Sequence, residues 1–220
     1  MESDEYRRTA RCYEPLLGPF LAPARRQVRR TVLGCGFDRV LDLCCGTGEQ
    51  CAMLAREGLD VHGADRSPFM LQVARGNARS GPRYVLADAA SLPYPDALFD
   101  GVVLSFALHE KPPHVRQAML RECERVLKPE GGLVAVDFVR PRGGAAKAAH
   151  AFVRLVERAA GGRHYLNFKD FMGRGGLDAL LRDAGWPVAR RSLVHWGAVG
   201  VALARPGQGR ISEDGRDTSP

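Results

Sequence analysis

The 220-residue sequence contains no apolar run long enough to cross a lipid bilayer. Its first residues, 2–8, are charged and lack the apolar centre of a secretory signal, so we expect a cytoplasmic protein. Aromatic residues make up only 7%, and few of them lie among the arginines, which disfavours a surface for single-stranded nucleic acid. Six cysteines are present, but Cys44 and Cys45 are neighbours in a glycine-rich motif, a poor position for a structural disulfide. We therefore predict reduced thiols.

Acidic residues are in deficit, with 25 carboxylates against 32 basic side chains and a formal charge of +7. A cluster formed by Arg25, Arg26, Arg29 and Arg30 is compatible with a polynucleotide or a membrane surface. An anionic small molecule or a lipid headgroup fits the charge equally well, and a solvated basic face needs no partner. The 45% hydrophobic content is sufficient for the core of one enzyme-sized domain.

The glycine-rich motif follows an apolar segment, 40–43, that carries one carboxylate, Asp42. A strand, a glycine turn and a helix in this order bind dinucleotides in dehydrogenases and S-adenosylmethionine in methyltransferases. The dinucleotide motif has a third glycine where this chain has Cys51. A buried acid needs partners, and the cationic methionine end of S-adenosylmethionine supplies one for Asp42. The motif therefore favours S-adenosylmethionine.

Residues 42–48, Asp-Leu-Cys-Cys-Gly-Thr-Gly, resemble the first motif of class I S-adenosylmethionine-dependent methyltransferases. Segments 61–71, 86–89, 99–109 and 125–132 resemble further motifs in the same order, so that the resemblance covers most of 40–139. It is closest to the small-molecule branch that includes ubiquinone and menaquinone C-methyltransferases and phospholipid N-methyltransferases. The opening segment, with its two tyrosines, resembles the helix that closes over the cofactor in that branch.

The resemblance implies S-adenosyl-L-methionine as the cofactor and S-adenosyl-L-homocysteine as the product. It assigns the ribose hydroxyls to Asp65 and the adenine amino group to Asp88. The full set of cofactor-binding residues that it implies is Asp42, Cys44, Gly46, Thr47, Gly48, Asp65, Arg66, Met70, Asp88, Ala89, Ser105, Phe106, Tyr6 and Tyr13.

The alternation of strands and helices, read with the resemblance, predicts an α/β fold. We expect a Rossmann-like, doubly wound, seven-stranded sheet, mostly parallel with an antiparallel last strand and helices on both faces. Residues 1–35 are expected to form an N-terminal helical lid, with helical stretches at 6–17 and 24–33. Residues 36–205 form the methyltransferase domain, with a substrate-covering insertion at about 140–176, and the polar residues 206–220 form a disordered tail.

The insertion is the region where we expect the acceptor to be selected. A helix is predicted over 145–160, and the aromatic residues Phe152 and Phe168 are expected to fix it to the sheet. The candidate catalytic residue is His109, just beyond the fourth strand, because imidazole titrates near neutrality and ligands bind at this edge of open sheets. A hydrogen-bonded structural histidine is the competing interpretation. Glu110 is a weaker candidate, and His150 and His164 could approach from the insertion.

The resulting hypothesis is a methyltransferase that moves a methyl group by in-line displacement to a small-molecule acceptor. The alternatives are a phospholipid or RNA methyltransferase that uses the basic face, a non-catalytic S-adenosylmethionine-binding protein and, more remotely, a dehydrogenase. Residues 105–108 lack the Asn or Asp, two prolines and aromatic residue of amino-directed nucleic-acid methyltransferases, which argues against a nucleic-acid partner. No metal site is predicted, and the residues specify neither the acceptor atom nor the oligomeric state.

Overall fold

The computed structural model describes residues 10–77, 81–159 and 161–207. The predictions for Tyr6 and for most of the polar tail lie outside these ranges. Within them, seven strands form one sheet in the order β3-β2-β1-β4-β5-β7-β6. The strands are β1 (Arg39–Leu43), β2 (Asp60–Asp65), β3 (Arg83–Leu86), β4 (Phe99–Ser105), β5 (Leu127–Phe138), β6 (Val188–Val194) and β7 (Val199–Ala204).

Strand β7 enters between β5 and β6 and pairs antiparallel with both, whereas the other pairings are parallel. The predicted fold class is therefore confirmed. The helices are α1 (Ala10–Gly34), α2 (Glu49–Ala55), α3 (Pro68–Asn77), α4 (Pro113–Val126), α5 (Gly144–Ala159), α6 (Gly162–Gly173) and α7 (Gly176–Asp183), with a short 3₁₀ turn at His195–Gly197.

The central strands are buried on both faces because helices cover them on either side. Val102, Val103 and Leu104 of β4 are completely buried, and so are Val134 and Val136 of β5. This near-continuous apolar character is typical of parallel strands in a doubly wound sheet. Because these strands are parallel, the carboxyl ends of β1, β2, β4 and β5 lie at one edge of the sheet. That edge carries most of the predicted site.

Helix α1 corrects one prediction, since a single helix replaces the two stretches expected at 6–17 and 24–33. It passes through Pro15, Pro19 and Pro23, each of which removes a backbone donor. Their spacing of four residues places all three on one side of the helix, while Val28 and Val32 on the opposite side are buried in the domain core. Packing of that side offsets the missing hydrogen bonds.

The insertion between β5 and α7 contains α5 and α6. We call these two helices the lid, and refer to the N-terminal helix only as α1. Helix α5 agrees with the predicted helix, whereas α6 covers a segment for which no helix was predicted. Phe168 packs in the core as expected. The prediction for Phe152 was wrong, because this side chain is 62% exposed: α5 turns Val153 and Glu157 inward instead. Among the described helices, none combines the length and apolar character that a bilayer span requires.

Candidate functional site

The turn between β1 and α2, which we call the glycine loop (44–48), has a backbone that most residues would strain. Gly46 and Gly48 have φ values of 54° and 73°, and Cys44 between strand and turn has φ 60°. A Cβ on Gly48 would lie 2.5 Å from the Tyr84 hydroxyl, so close packing also requires glycine there. A Cβ on Gly46 would meet no atom within 4 Å. Gly46 therefore borders open space, as a position approached by a ligand does.

Asp65, at the end of β2, fixes the glycine loop. One carboxylate oxygen accepts the Gly46 backbone N–H at 2.8 Å, and the other accepts the Ser67 N–H at the start of α3, also at 2.8 Å. Burial raises the pKa of this carboxyl above its usual range, and the two backbone donors act in the opposite direction. Each oxygen keeps acceptor capacity for a further donor, such as a sugar hydroxyl.

Asp42 is a second acid at this edge, buried inside β1. Its carboxylate accepts a hydrogen bond from the Cys51 thiol, with 3.2 Å between Oδ2 and Sγ. A thiol is a weak donor, and burial raises the pKa of Asp42 to about 7. An ammonium group arriving beside the loop would stabilise the ionised carboxylate, as the methionine end of the predicted cofactor does.

Helix α1 contacts the glycine loop through Glu14, which bonds the Thr47 hydroxyl. Glu14 also accepts two hydrogen bonds from the Arg25 guanidinium, at 2.7 and 2.8 Å. Tyr13 lies beside this pair, and burial raises its pKa to about 12, with the charges of Glu14 and Asp65 acting in the same direction. The helix therefore covers the loop, with Tyr13 close to the acid that fixes it.

A cleft of about 610 Å³ opens on the flank of this contact, between α1 and α2. Its lining includes the ion-paired Glu14 and Arg25 together with Glu49 and Asn77, and it includes neither Asp65 nor Asp88. The cleft therefore lies beside the strand edge that carries the predicted cofactor residues.

The loop that follows β4 carries Phe106 with φ 53°, an unusual conformation for a bulky residue. Three residues later, His109 is only 4% exposed. Its Nδ1 lies 2.8 Å from one oxygen of Asp137 on β5, and the other oxygen accepts the backbone N–H groups of Leu108 and His109 at 3.1 Å. Burial opposes protonation of the imidazole, but the neighbouring Asp137 outweighs it and the pKa rises to about 9.

The lid is anchored to this loop by Arg116 of α4, a buried guanidinium. It donates to the Leu108 carbonyl at 2.8 Å, to the Asn167 carbonyl at 2.7 Å and to the Asp170 carboxylate at 2.8 Å. Asn167 in turn donates its side-chain amide to the Glu110 carbonyl at 2.7 Å. These contacts join α4, α6 and the β4 loop.

Three rings connect α1 with two loops at the same edge, and we call them the aromatic line. Phe20 of α1 stacks on His195 of the 3₁₀ turn, with ring centroids 4.2 Å apart, and lies 6.2 Å from the Phe106 ring. His195 and the neighbouring Trp196 have φ values of 52° and 53°. Such conformations outside glycine are concentrated at functional sites. Four of the five in the described residues, Cys44, Phe106, His195 and Trp196, lie in loops around one sheet edge, whereas Ala97 precedes β4 at the other.

Comparison with known proteins identifies the family. Residues 40–131 match the model of a methyltransferase domain family. A demethylmenaquinone methyltransferase from Beutenbergia cavernae is 37% identical over 161 residues, which are 68% of this chain and 65% of that protein. A demethylmenaquinone methyltransferase from Thermus thermophilus is 34% identical over 179 residues, 74% of this chain and 80% of that protein. The chain belongs to this methyltransferase family.

Solved structures support the fold assignment of this methyltransferase. Magnesium protoporphyrin IX methyltransferase from Synechocystis, crystallised with S-adenosylhomocysteine, superposes with a TM-score of 0.59. The superposition covers 83% of this chain and 82% of that one at 20% sequence identity, which establishes similarity of fold alone. S-adenosylmethionine is the cofactor of the family, and two observations fit it: the open space at Gly46 and the buried Asp42 with its single thiol donor.

The predicted cofactor residues at the ends of β1, β2, β3 and β4 lie along the carboxyl edge of the sheet in this methyltransferase. Asp88 lies two residues beyond β3, exposed, where one oxygen accepts the Ala90 N–H at 2.9 Å. Ala89 follows it and is half-buried, Met70 is buried in α3, and Arg66 is exposed beside Asp65. Ser105 ends β4. The roles of these residues stay predictions.

The basic cluster of α1 is partly neutralised. Arg25 pairs with Glu14, and Arg29 pairs with Glu57 at 2.7 Å, whereas Arg26 and Arg30 are exposed. The described cysteines Cys35, Cys44, Cys45, Cys51 and Cys123 are free thiols, as predicted.

Sequence reasoning missed Asp137, although β5 carried a usable signal: one carboxylate in the apolar segment 133–139, the same pattern that drew attention to Asp42. It also missed Glu14, Glu157 and Asp170. Their partners come from distant parts of the chain or from a helix that was not predicted, so no local pattern indicates them.

Proposed function

We propose that this methyltransferase transfers the methyl group of S-adenosylmethionine to a planar, apolar small molecule, a reduced naphthoquinone of the demethylmenaquinone class. The names of the relatives supply the class, and the aromatic line carries the proposal. Phe20, Phe106 and His195 are half-buried rings in contact at the edge of the sheet where the loop after β4 ends. Ring faces of this kind bind flat aromatic molecules by stacking and by burial of apolar area.

The transfer itself asks little of the protein. The sulfonium provides the leaving group, so catalysis consists mainly of holding an electron-rich acceptor carbon in line with the methyl group. In this proposal the glycine loop and Asp65 hold the cofactor, the aromatic line orients the acceptor, and the lid excludes water. His109, in the β4 loop, places its Nε2 3.6 Å from the Glu157 carboxylate of the lid. Its predicted role in catalysis stays a prediction, as does the cytoplasmic location.

The acceptor class is tested with a panel and methyl-labelled S-adenosylmethionine. The panel contains a short-chain naphthoquinone reduced with dithionite, phosphatidylethanolamine vesicles and an unmodified transfer RNA. Label in the naphthoquinol supports the proposal. Label only in the phospholipid or only in the RNA contradicts it in favour of an acceptor bound by the basic face, and binding of the cofactor with no transfer to any acceptor favours a non-catalytic protein.

The contribution of the aromatic line is tested by Phe20→Ala, with Phe152→Ala as the matched control. Phe20 belongs to the line, whereas Phe152 is an exposed aromatic residue on α5. Loss of one stacked ring costs about 1–3 kcal/mol, which corresponds to a rise in acceptor KM of about 5- to 150-fold. The affinity for S-adenosylhomocysteine should not change in either variant. Equal KM values in the two variants would contradict acceptor binding at the line.

A further inference from the structure

A cluster of two histidines and one glutamate connects the β4 loop to both helices of the lid. His109 follows β4, Glu157 lies on α5 and His164 lies on α6. One ligand atom from each residue, an imidazole nitrogen or a carboxylate oxygen, lies within 4.8 Å of the other two. His109 and Glu157 are buried and His164 is half-buried. We call these three residues the lid cluster.

Carboxylates surround both imidazoles of the lid cluster. His109 Nδ1 lies 2.8 Å from Asp137, and its Nε2 lies 3.6 Å from Glu157. His164 Nε2 lies 2.6 Å from Glu157, and its Nδ1 lies 3.6 Å from Glu110. A neutral imidazole has one nitrogen without a proton, and in this surrounding that lone pair faces a carboxylate. One imidazole nitrogen from each histidine therefore faces the Glu157 carboxylate, and a divalent cation between them would balance its charge.

The arrangement has the features of a metal site with three protein ligands. Two imidazoles and one carboxylate form the donor set of many zinc enzymes and of non-haem iron sites, with further coordination positions open. Asp137 bonds the ring nitrogen of His109 that points away from the cluster, which is the usual way in which a second carboxylate orients a metal-binding histidine. The geometry points to Nε2 of His109, a carboxylate oxygen of Glu157 and His164 as ligands, and we propose that they bind one divalent transition-metal ion, Zn²⁺ being the best match.

A cation at this position would join β4, α5 and α6 at one point. Zn²⁺ binds nitrogen and oxygen ligands at about 2.0–2.2 Å, so the hydrogen-bonded pair Glu157 and His164 must separate by less than about 1 Å to admit it. Their side chains come from two lid helices, and small movements of either suffice. The bound ion would therefore hold the lid against the loop that carries His109, and its effect is measurable without the methylation reaction.

The test uses the full chain purified without a histidine tag and dialysed against a chelator. After incubation with Zn²⁺ and removal of excess ion, elemental analysis should give about one zinc per chain. Binding should slow cleavage of the lid by trypsin, since the lid is rich in arginine and lysine, and Co²⁺ in place of Zn²⁺ should produce visible ligand-field absorption. Less than about 0.1 zinc per chain, with no change in proteolysis, overturns the proposal and leaves shared protons as the source of charge.

Two variants and one control locate the ion. His164→Gln removes a ligand from the half-buried end of the cluster, and Glu157→Gln keeps the shape of the side chain without its charge. Each should weaken Zn²⁺ binding by more than about 100-fold, beyond the 10–100-fold typical of a residue that only orients a ligand. His114→Gln, at an exposed histidine of α4, should leave the stoichiometry and affinity unchanged. Equal affinities in all three variants would place the ion elsewhere and overturn the proposal.

Zinc coordination and general-base catalysis are alternative roles for His109, because the ion would occupy the Nε2 lone pair that a base uses. The metal titration decides between them whether or not the proposed acceptor is correct. A protein that binds no zinc can still methylate the naphthoquinol, and a protein that methylates none of the acceptors can still bind one zinc per chain. The two experiments therefore test the two proposals separately.

Discussion

The glycine loop and the lid lie at the same edge of the sheet, but they are held in different ways. The glycine loop is fixed largely by backbone N–H groups that donate to one carboxylate, as those of Gly46 and Ser67 do to Asp65. The lid is fixed by contacts between charged side chains of separate helices, such as that between Arg116 and Asp170. The first region is built around backbone groups that a cofactor approaches, the second around charged side chains that join separate helices. Substitutions in the two regions should therefore fail in different ways.

The largest difference between the two regions should come from Asp65→Ala. This substitution removes the acceptor of both backbone hydrogen bonds and the predicted ribose ligand. Charge-assisted hydrogen bonds contribute about 1.5–3 kcal/mol each, so the affinity for S-adenosylhomocysteine should fall about 1,000-fold by calorimetry. Asp60→Ala, at the other end of β2, is the control and should retain the wild-type affinity. Unchanged binding in Asp65→Ala would remove the ribose assignment.

Substitution of the two glycines of the loop should have different effects, on folding stability at Gly48 and on cofactor affinity at Gly46. Gly48→Ala places a Cβ 2.5 Å from the Tyr84 hydroxyl and 2.8 Å from the Ala74 Cβ, and we expect a loss of about 3 kcal/mol in the free energy of unfolding. Gly46→Ala meets open space and should cost only about 1 kcal/mol for its positive φ. Its added methyl group lies where the ligand approaches, so it should still weaken S-adenosylhomocysteine binding at least about 10-fold. Wild-type affinity in Gly46→Ala would show that this space is not the cofactor site.

Substitutions that loosen the lid should lower stability and leave cofactor affinity almost unchanged. Arg116→Met removes the guanidinium that donates to the Leu108 and Asn167 carbonyls, and we expect a loss of about 2 kcal/mol in the free energy of unfolding and faster proteolysis of the lid. The affinity for S-adenosylhomocysteine should stay within about twofold. Arg121→Met, an exposed arginine on the same helix, is the control and should change neither quantity. A stable Arg116→Met variant with weakened cofactor binding would reverse the distinction between the regions.

The smallest expected effect concerns the pH dependence of cofactor binding. Because the pKa of Asp42 is raised to about 7, this carboxyl is mostly protonated at pH 6 and mostly ionised at pH 8. Its ionised form binds the ligand ammonium, so S-adenosylhomocysteine affinity should fall about tenfold from pH 8 to pH 6. Asp42→Asn should flatten that profile at the low level, whereas the surface control Asp60→Asn should keep it.

The same shift has a consequence for stability. A raised pKa in the folded state means that the contribution of Asp42 to stability is fully present below the unfolded-state pKa and is lost as pH rises through about 7. Asp42→Asn without ligand should therefore melt at a higher temperature than the wild type at pH 8, and this difference should become smaller as the pH falls from 8 to 5. A lower melting temperature at pH 8 would contradict the burial of an ionised carboxylate at this position.

The difference between the regions also explains what the sequence could predict. The sheet and the glycine loop depend on apolar periodicity, glycine positions and acids at strand ends, all of which are local patterns. To predict helix α1 as one continuous helix, one must know that its prolines face away from the core. Their orientation depends on how the helix packs against β5 and β7. The contacts of His109 and Arg116 join residues 28 and 54 positions apart. Local patterns carry no information about such pairs, so the lid cluster became visible only in the structure.

The central claim is that the edge formed by the glycine loop and Asp65 binds S-adenosylmethionine. Calorimetric titration of the wild-type protein with S-adenosylhomocysteine, and in parallel with NAD, tests it most directly. Saturable binding of one S-adenosylhomocysteine per chain, lost in Asp65→Ala and absent for NAD, is the predicted result. Binding of NAD in place of S-adenosylhomocysteine, or no binding of either, would contradict the claim.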